Sequence, residues 1–186
     1  MISLKKSIAC SFVALMIGGG FSVTPASAAF RDAGGAKSLS REIVDFGGDA
    51  SPGTIVINAS QRRLFYVLGD GAAISYPVAV PKRGKEWSGV TSIRDKRENP
   101  DWTPPADVRM DHPELPEVIP GGSPNNPMGT HAMLLNNGTF AIHGTTSRMR
   151  ASIGSAASYG CIRMRNEDVA DLYRRVAVGA TVIMQP

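Results

Sequence analysis

Hydrophobic and polar positions fall into short runs along most of the chain, and the runs read chiefly as strands. "TIVIN" (54–58) and "RLFYVL" (63–68) are rich in β-branched and aromatic residues and are joined by the turn-like "ASQR", which predicts a hairpin. A second turn, "GDG" at 69–71, leads into a third strand, "AAISYPVAV" (72–80). "HAMLL" (131–135), the turn "NNG" and "TFAIH" (139–143) predict another hairpin, which leaves His143 at a strand end. The period changes near the C-terminus. Val169, Leu172, Tyr173 and Val176 stand at i, i+3, i+4 and i+7, predicting an amphipathic helix over 167–177 with Asn166 as its N-cap and Gly179 as its stop. "TVIM" (181–184) reads as a last strand. The sum is a mainly β domain with one helix.

Three stretches do not follow these patterns. The first begins with Lys5 and Lys6, continues as an apolar run from Ile8 to about Val23, and ends in Ala26-Ser27-Ala28, which reads as a secretory signal peptide cut near Ala28. Its run is interrupted by Ser11, Gly18, Gly19, Gly20 and Ser22, so a membrane anchor is not expected. The second, 29–52, is rich in Gly, Ser and Asp and reads as a flexible tail with a short helix around Leu39–Val44. The third, from Pro81 to about Gly129, holds most of the prolines and both tryptophans. Long Pro-rich segments inside a domain are often functional, so it reads either as the wall or lid of a cleft or as a connection packed by Trp87 and Trp102. The expected organisation is a signal peptide (1–28), a tail (29–52) and one catalytic domain (53–186).

Charge and cysteine content change the picture next. Cleavage removes Lys5 and Lys6 and leaves 18 Lys+Arg against 16 Asp+Glu, a small balance with no basic run, so a nucleic-acid partner is not expected. Cleavage also removes Cys10 and leaves Cys161 alone. In an oxidising compartment an unpaired thiol implies an intermolecular disulfide or a reactive group.

Cys161 lies 18 positions after His143, and each has a glycine beside it. A structural zinc site would need four closely grouped ligands, and His112, His131, His143 and Cys161 lack the paired spacings, so no metal is expected. No Gly-rich phosphate loop calls for a cofactor. A thiol becomes a useful nucleophile when an imidazole forms an ion pair with it or takes its proton during attack, which makes acyl transfer the chemistry that suits the pair. The amides of Gly160 and Cys161 are candidate donors to an oxyanion. A buried structural cysteine beside a satisfied core histidine is the alternative. His112 and His131 read as structural or surface residues.

"IHGTTSRMRASIGSAASYGCIRMRNEDVADLYRRVAVGATVIM" resembles the signature of the bacterial L,D-transpeptidase catalytic domain, the YkuD domain, in which a His is followed by about fourteen residues and then Ser/Thr-x-Gly-Cys. Here Gly144 to Ala157 separate His143 from Ser158-Tyr159-Gly160-Cys161, and "PGGSPNNPMGTHAM" resembles the loop and strand ahead of that motif. The resemblance implies a β-sandwich or barrel with one helix in its C-terminal region and a long Pro-rich loop. It implies a cysteine enzyme of peptidoglycan biosynthesis and cell shape, exported to the periplasm or cell envelope, acting on stem peptides and inhibited by carbapenems. By motif match Cys161 is the nucleophile, His143 its base and later acid, and the Gly144 carbonyl orients the imidazole. Gly160 and Cys161 form the oxyanion hole, Arg163 engages a substrate carboxylate, and Ser158 and Tyr159 line the pocket. Tyr159 stands where many members have His. The acceptor is another stem peptide, an amine of an envelope protein, or water. A peptidoglycan-binding pseudoenzyme without turnover is the competing reading.

Overall fold

A computed structural model describes residues 40–186; the signal segment 1–28 and residues 29–39 of the expected tail lie outside the described residues. The elements run β1 (Glu42–Asp45), β2 (Ile55–Asn58), β3 (Arg63–Gly69), β4 (Ala72–Pro77), β5 (Val80–Pro81), β6 (Gly89–Glu98), α1 (Ala106–Asp111), β7 (His131–Leu135), β8 (Ala141–His143), β9 (Ala156–Ser158), β10 (Ile162–Arg163), α2 (Asn166–Arg175) and β11 (Thr181–Gln185). Nine strands form one sheet in the order β1-β4-β3-β2-β11-β6-β7-β8-β10, and β5 pairs with β9 in a small second sheet.

Both predicted hairpins form, β2 with β3 and β7 with β8. Apolar residues from distant strands, Ile57, Tyr76, Met133, Ile142 and Ile162 among them, share one core cluster with Val169, Leu172 and Val176 of the α2 region. The sheet therefore curls until β4, near one end, and β10, at the other, contribute to a common interior, the mainly β sandwich or barrel class the resemblance implied. The third predicted strand is interrupted: β4 ends at Pro77, and the chain changes partner, with Ala79 bridging Arg163 and Val80 starting β5. Pro77, opposite Arg63 at the end of β4, brings no N–H to the ladder, and the pairing with β3 stops there.

Four expectations need correction. The described part of segment 29–52 is neither a free tail nor helical around Val44, because Glu42–Asp45 pair with β4 and Phe46 is buried against Val56, Phe65 and Val67. The apolar residues of β2 and β3 that point away from the main core need this cover. Within the Pro-rich segment, Gly89–Glu98 form a ten-residue strand between β11 and β7. Its sequence hides it, since only Ile93 is buried and the register shifts between Ile93 and Asp95. The same segment holds a second, six-residue helix, α1, with no buried residue. Finally, the N-cap of α2 is Arg165, not Asn166.

Helix α2 turns Val169 and Leu172 into the core, while Lys96 of β6 donates to the carbonyls of Tyr173 and Val176 at 2.6 Å and satisfies its C-terminal end. Leu172 is fully buried. Leu172→Ala is expected to lower unfolding free energy by about 2–5 kcal/mol, measured by chemical denaturation; a change within about 0.5 kcal/mol would place Leu172 outside the core.

Candidate active site

Strand β10 runs parallel to β8, with Ile162 opposite Ile142 and Arg163 opposite His143. Alternation then puts Arg163, His143 and Cys161 on one face, since Cys161 lies two residues before Arg163. Parallel neighbours are ~4.8 Å apart with a rise of ~3.3 Å per residue, so that offset sets the Cα atoms of Cys161 and His143 ~8 Å apart, a span two converging side chains can close. Both residues, with Arg163, Ser158 and Tyr159, line a cavity of about 750 Å³. Trp102, Val108, Leu115 and Phe140 add apolar walls. The Pro-rich segment thus supplies both a cavity wall, through Trp102 and α1, and a structural wedge, through Trp87.

His143 is buried, and its Nδ1 lies 2.8 Å from the Gly144 carbonyl oxygen. A carbonyl can only accept, so Nδ1 carries the proton and Nε2 keeps its lone pair. Burial, and secondarily the Arg163 cation, lower the imidazole pKa to about 4. Cys161 is half-buried against Met128, Ala132 and Ala141, and desolvation pushes its thiol above the ordinary value; a backbone hydrogen bond from Ala141 and the Arg163 charge only partly oppose this. At neutral pH the resting pair is a neutral thiol beside a neutral imidazole. Of the two ways an imidazole can activate a thiol, this favours proton transfer during attack over a preformed ion pair.

Arg163 is also buried, and burial lowers its pKa. One Nη donates to Ser152 Oγ at 2.8 Å, its Nε has no hydrogen-bond partner, and among the described residues no carboxylate pairs with it. A buried cation left without a counter-ion in a cavity wall is prepared for an anion.

Ser158, Tyr159 and Gly160 shape the turn that presents Cys161. Ser158 is almost wholly buried; its hydroxyl donates to the Cys161 carbonyl and accepts from the Gly160 amide at 3.3 Å. That amide, one of the two expected oxyanion donors, is engaged within the turn. Gly160 has φ +126°, and a Cβ there would stand 2.1 Å from the Phe140 ring, so the position demands glycine on both counts. Phe140 stacks on Trp87, whose indole N–H donates to the Gly160 carbonyl at 2.8 Å. The Tyr159 hydroxyl donates to Asp111 on α1, and Lys82 sits 3.5 Å over its ring. With the Lys85–Asp107 ion pair, this clasp fastens α1 at the cavity wall. His112 reaches the same wall from an exposed position beside Glu114, whereas His131 packs on Tyr173 with Nδ1 2.9 Å from Thr130 Oγ1.

The sequence profile of the YkuD family, described as the L,D-transpeptidase catalytic domain, matches residues 52–184. The chain belongs to this family. The probable L,D-transpeptidase YcfS of Escherichia coli (strain K12) is 38% identical over 144 residues, covering 72% of this chain and 44% of that one. The chain spans less than half the length of the first curated relatives it matches. A crystal structure described as a probable carnitine operon oxidoreductase from Brucella melitensis is 40% identical with a TM-score of 0.52, covering 76% of this chain and 90% of that one. The NMR structure of the catalytic domain from the E. faecium L,D-transpeptidase gives a TM-score of 0.56 at 17% identity, covering 74% of this chain and all of that one, a likeness of fold alone.

Phe140, Trp87 and Asn166 shape this site and were not singled out as site residues in the sequence. Phe140 and Trp87 carry no chemistry of their own, and Asn166 at a helix start is easily read as a cap.

The depressed imidazole pKa couples stability to pH. Between pH 6.5 and about 4 the unfolded chain binds a proton on His143 that the folded chain does not, so stability falls as pH drops through that window. The loss attributable to His143 is about 3 kcal/mol. Denaturation of the wild type and His143→Gln across this range is expected to show a shallower decline in the variant. Equal slopes would mean that His143 is not held neutral by the fold.

Proposed function

We propose that the protein is an exported L,D-transpeptidase that transfers an acyl group from a peptidoglycan stem peptide through a thioester on Cys161. The observation carrying this reading is that Cys161 and a His143 imidazole held at Nδ1 by the Gly144 carbonyl line one cavity with a buried Arg163, which has no carboxylate partner among the described residues. Family membership supplies the reaction class.

In the proposed reaction, Nε2 of His143 takes the Cys161 proton as sulfur attacks the carbonyl between the L-centre of the third stem residue and the terminal D-Ala. The tetrahedral oxyanion is met by the Cys161 amide, with Gly160 available if its 3.3 Å bond to Ser158 is exchanged. Collapse breaks the C–N bond, and the imidazolium returns its proton to the departing D-Ala amine. A second amine then attacks the thioester and loses a proton to Nε2, and the C–S bond breaks with the proton restored to sulfur. Arg163 is suited to hold the carboxylate of the terminal D-Ala, one residue from the scissile carbonyl. The neutral resting pair suits this sequence, because no buried ion pair has to be desolvated before substrate enters.

The acceptor is an amine of a second stem, giving a 3→3 crosslink, or an amine of an envelope protein. Water as acceptor would make the same site an L,D-carboxypeptidase or hydrolase. Export rests on the signal-like first residues; among the described residues no helix is long and apolar enough to cross a membrane. The oxidoreductase description of the Brucella melitensis protein has no counterpart here in a Gly-rich dinucleotide loop, whereas the thiol–imidazole pair matches acyl transfer.

Intact-protein mass spectrometry after incubation with a disaccharide-tetrapeptide, with and without an added amine, tests the reading. The expected result is an acyl adduct with D-Ala released, passed to the amine and absent in Cys161→Ala. Folded protein with a free thiol that forms no adduct and releases no D-Ala would favour the binding pseudoenzyme.

A further inference from the structure

We propose that Asn166 is a positioning residue for His143, acting through the peptide unit that joins Gly144 to Thr145. The inference rests on the reading of His143 as the general base and adds a residue that neither the His nor the Cys motif contains.

The geometry is that of one plane held from both sides. The Gly144 carbonyl accepts from His143 Nδ1 at 2.8 Å, and the Thr145 N–H of the same peptide unit donates to Asn166 Oδ1 at 3.0 Å. A peptide unit is planar, with its C=O and N–H pointing in opposite directions, so anchoring the N–H fixes the direction of the carbonyl. Asn166 Nδ2 also donates to the Thr145 carbonyl at 2.9 Å, and Oδ1 accepts a second bond from Thr130 N at 3.3 Å. One amide therefore ties the segment leaving β8 to the segment entering β7, at the level where His143 sits.

Two further observations point to this use. A Cβ on Gly129 or on Gly144 would stand 2.2 Å from Asn166 Oδ1, so both backbones close around the amide and only glycine permits the approach. Nor does α2 need the side chain for itself, since its N-cap is Arg165 and no side-chain cap bond is made. An asparagine at the first helical position spends its hydrogen-bonding groups on the loop that orients the imidazole.

The consequence is tautomeric. With the peptide plane clamped, the imidazole keeps its proton on Nδ1 and offers Nε2 to the thiol. With the plane free to turn, the Gly144 carbonyl no longer selects the tautomer, and part of the population carries the proton on the wrong nitrogen.

The test uses purified full chain and its Asn166→Ala and Asn166→Asp variants. Alanine is a good helix former, so α2 should survive the first substitution; aspartate keeps an oxygen for the Thr145 and Thr130 amides and serves as the conservative rescue. Nitrogen-15 NMR of the His143 ring is expected to show the Nδ1–H form in wild type, a mixture in Asn166→Ala and the Nδ1–H form again in Asn166→Asp. D-Ala release from a disaccharide-tetrapeptide should fall in kcat by about ten- to hundredfold in Asn166→Ala, the cost of a misplaced catalytic group, with KM changed by less than about threefold, and should recover in Asn166→Asp. A pure Nδ1–H signal in Asn166→Ala overturns the inference, and so does a loss of kcat with the tautomer unchanged. If Asn166→Ala does not fold, Asn166→Ser, whose shorter hydroxyl cannot bridge all three backbone groups, is judged by the same two readouts. Should the wild type release no D-Ala, the proposed function fails, while the ring signal still decides the role of Asn166.

Discussion

The site depends on a very short piece of parallel pairing, three residues of β8 against two of β10 at the end of a nine-stranded sheet. That register alone puts Cys161, His143 and Arg163 on one face at workable separations. Two residues of edge strand are weak by themselves, and the surroundings supply what the ladder lacks. Ala79 exchanges two backbone bonds with Arg163, Ser158 ties its hydroxyl to the Cys161 carbonyl, and Trp87 holds the Gly160 carbonyl while stacking on Phe140. On the other strand, Met164 N–H donates to the His143 carbonyl and Asn166 braces the next peptide unit. Most of the polar groups around the site thus fix backbone, leaving few to meet substrate.

Burial gives this geometry its chemical character. The same desolvation lowers the His143 pKa and raises that of the Cys161 thiol, so the thiol and the imidazole both rest uncharged near the Arg163 cation. A neutral pair is less reactive toward stray electrophiles than a thiolate, which suits a cysteine that forms no disulfide among the described residues. In the proposed reaction, charge is created only as substrate is attacked, where the imidazolium and oxyanion form together and can be met by groups already in place.

Much of this was legible in the sequence because local pattern and global fold agree there. The hairpins around 59–62 and 136–138, the buried face of α2 and the closing strand all follow from periodicity and turn chemistry. That His143 and Cys161 could meet was suggested by the strand ending at His143 and the loop returning to Cys161, and both line one cavity. Strand β6 was not legible, because its stability comes from neighbours on both sides while half of its own residues are charged and only Ile93 is buried. The strand at Glu42–Asp45 was hidden for a related reason: only the far surface of β2 and β3, which needs Phe46 as cover, makes that segment ordered. The role of Asn166 was lost to a local rule, since an asparagine before a helical repeat is read as a cap until the positions of Gly129 and Gly144 are known.

The pH dependence of Cys161 alkylation by iodoacetamide tests the central claim most directly, that the resting site is a neutral thiol beside a neutral imidazole. The account predicts a rate that climbs only as the thiol ionises above its ordinary pKa of 9.0, with no plateau at lower pH. A plateau from about pH 5 to 8 that disappears in His143→Ala would reveal a preformed thiolate–imidazolium pair and contradict it.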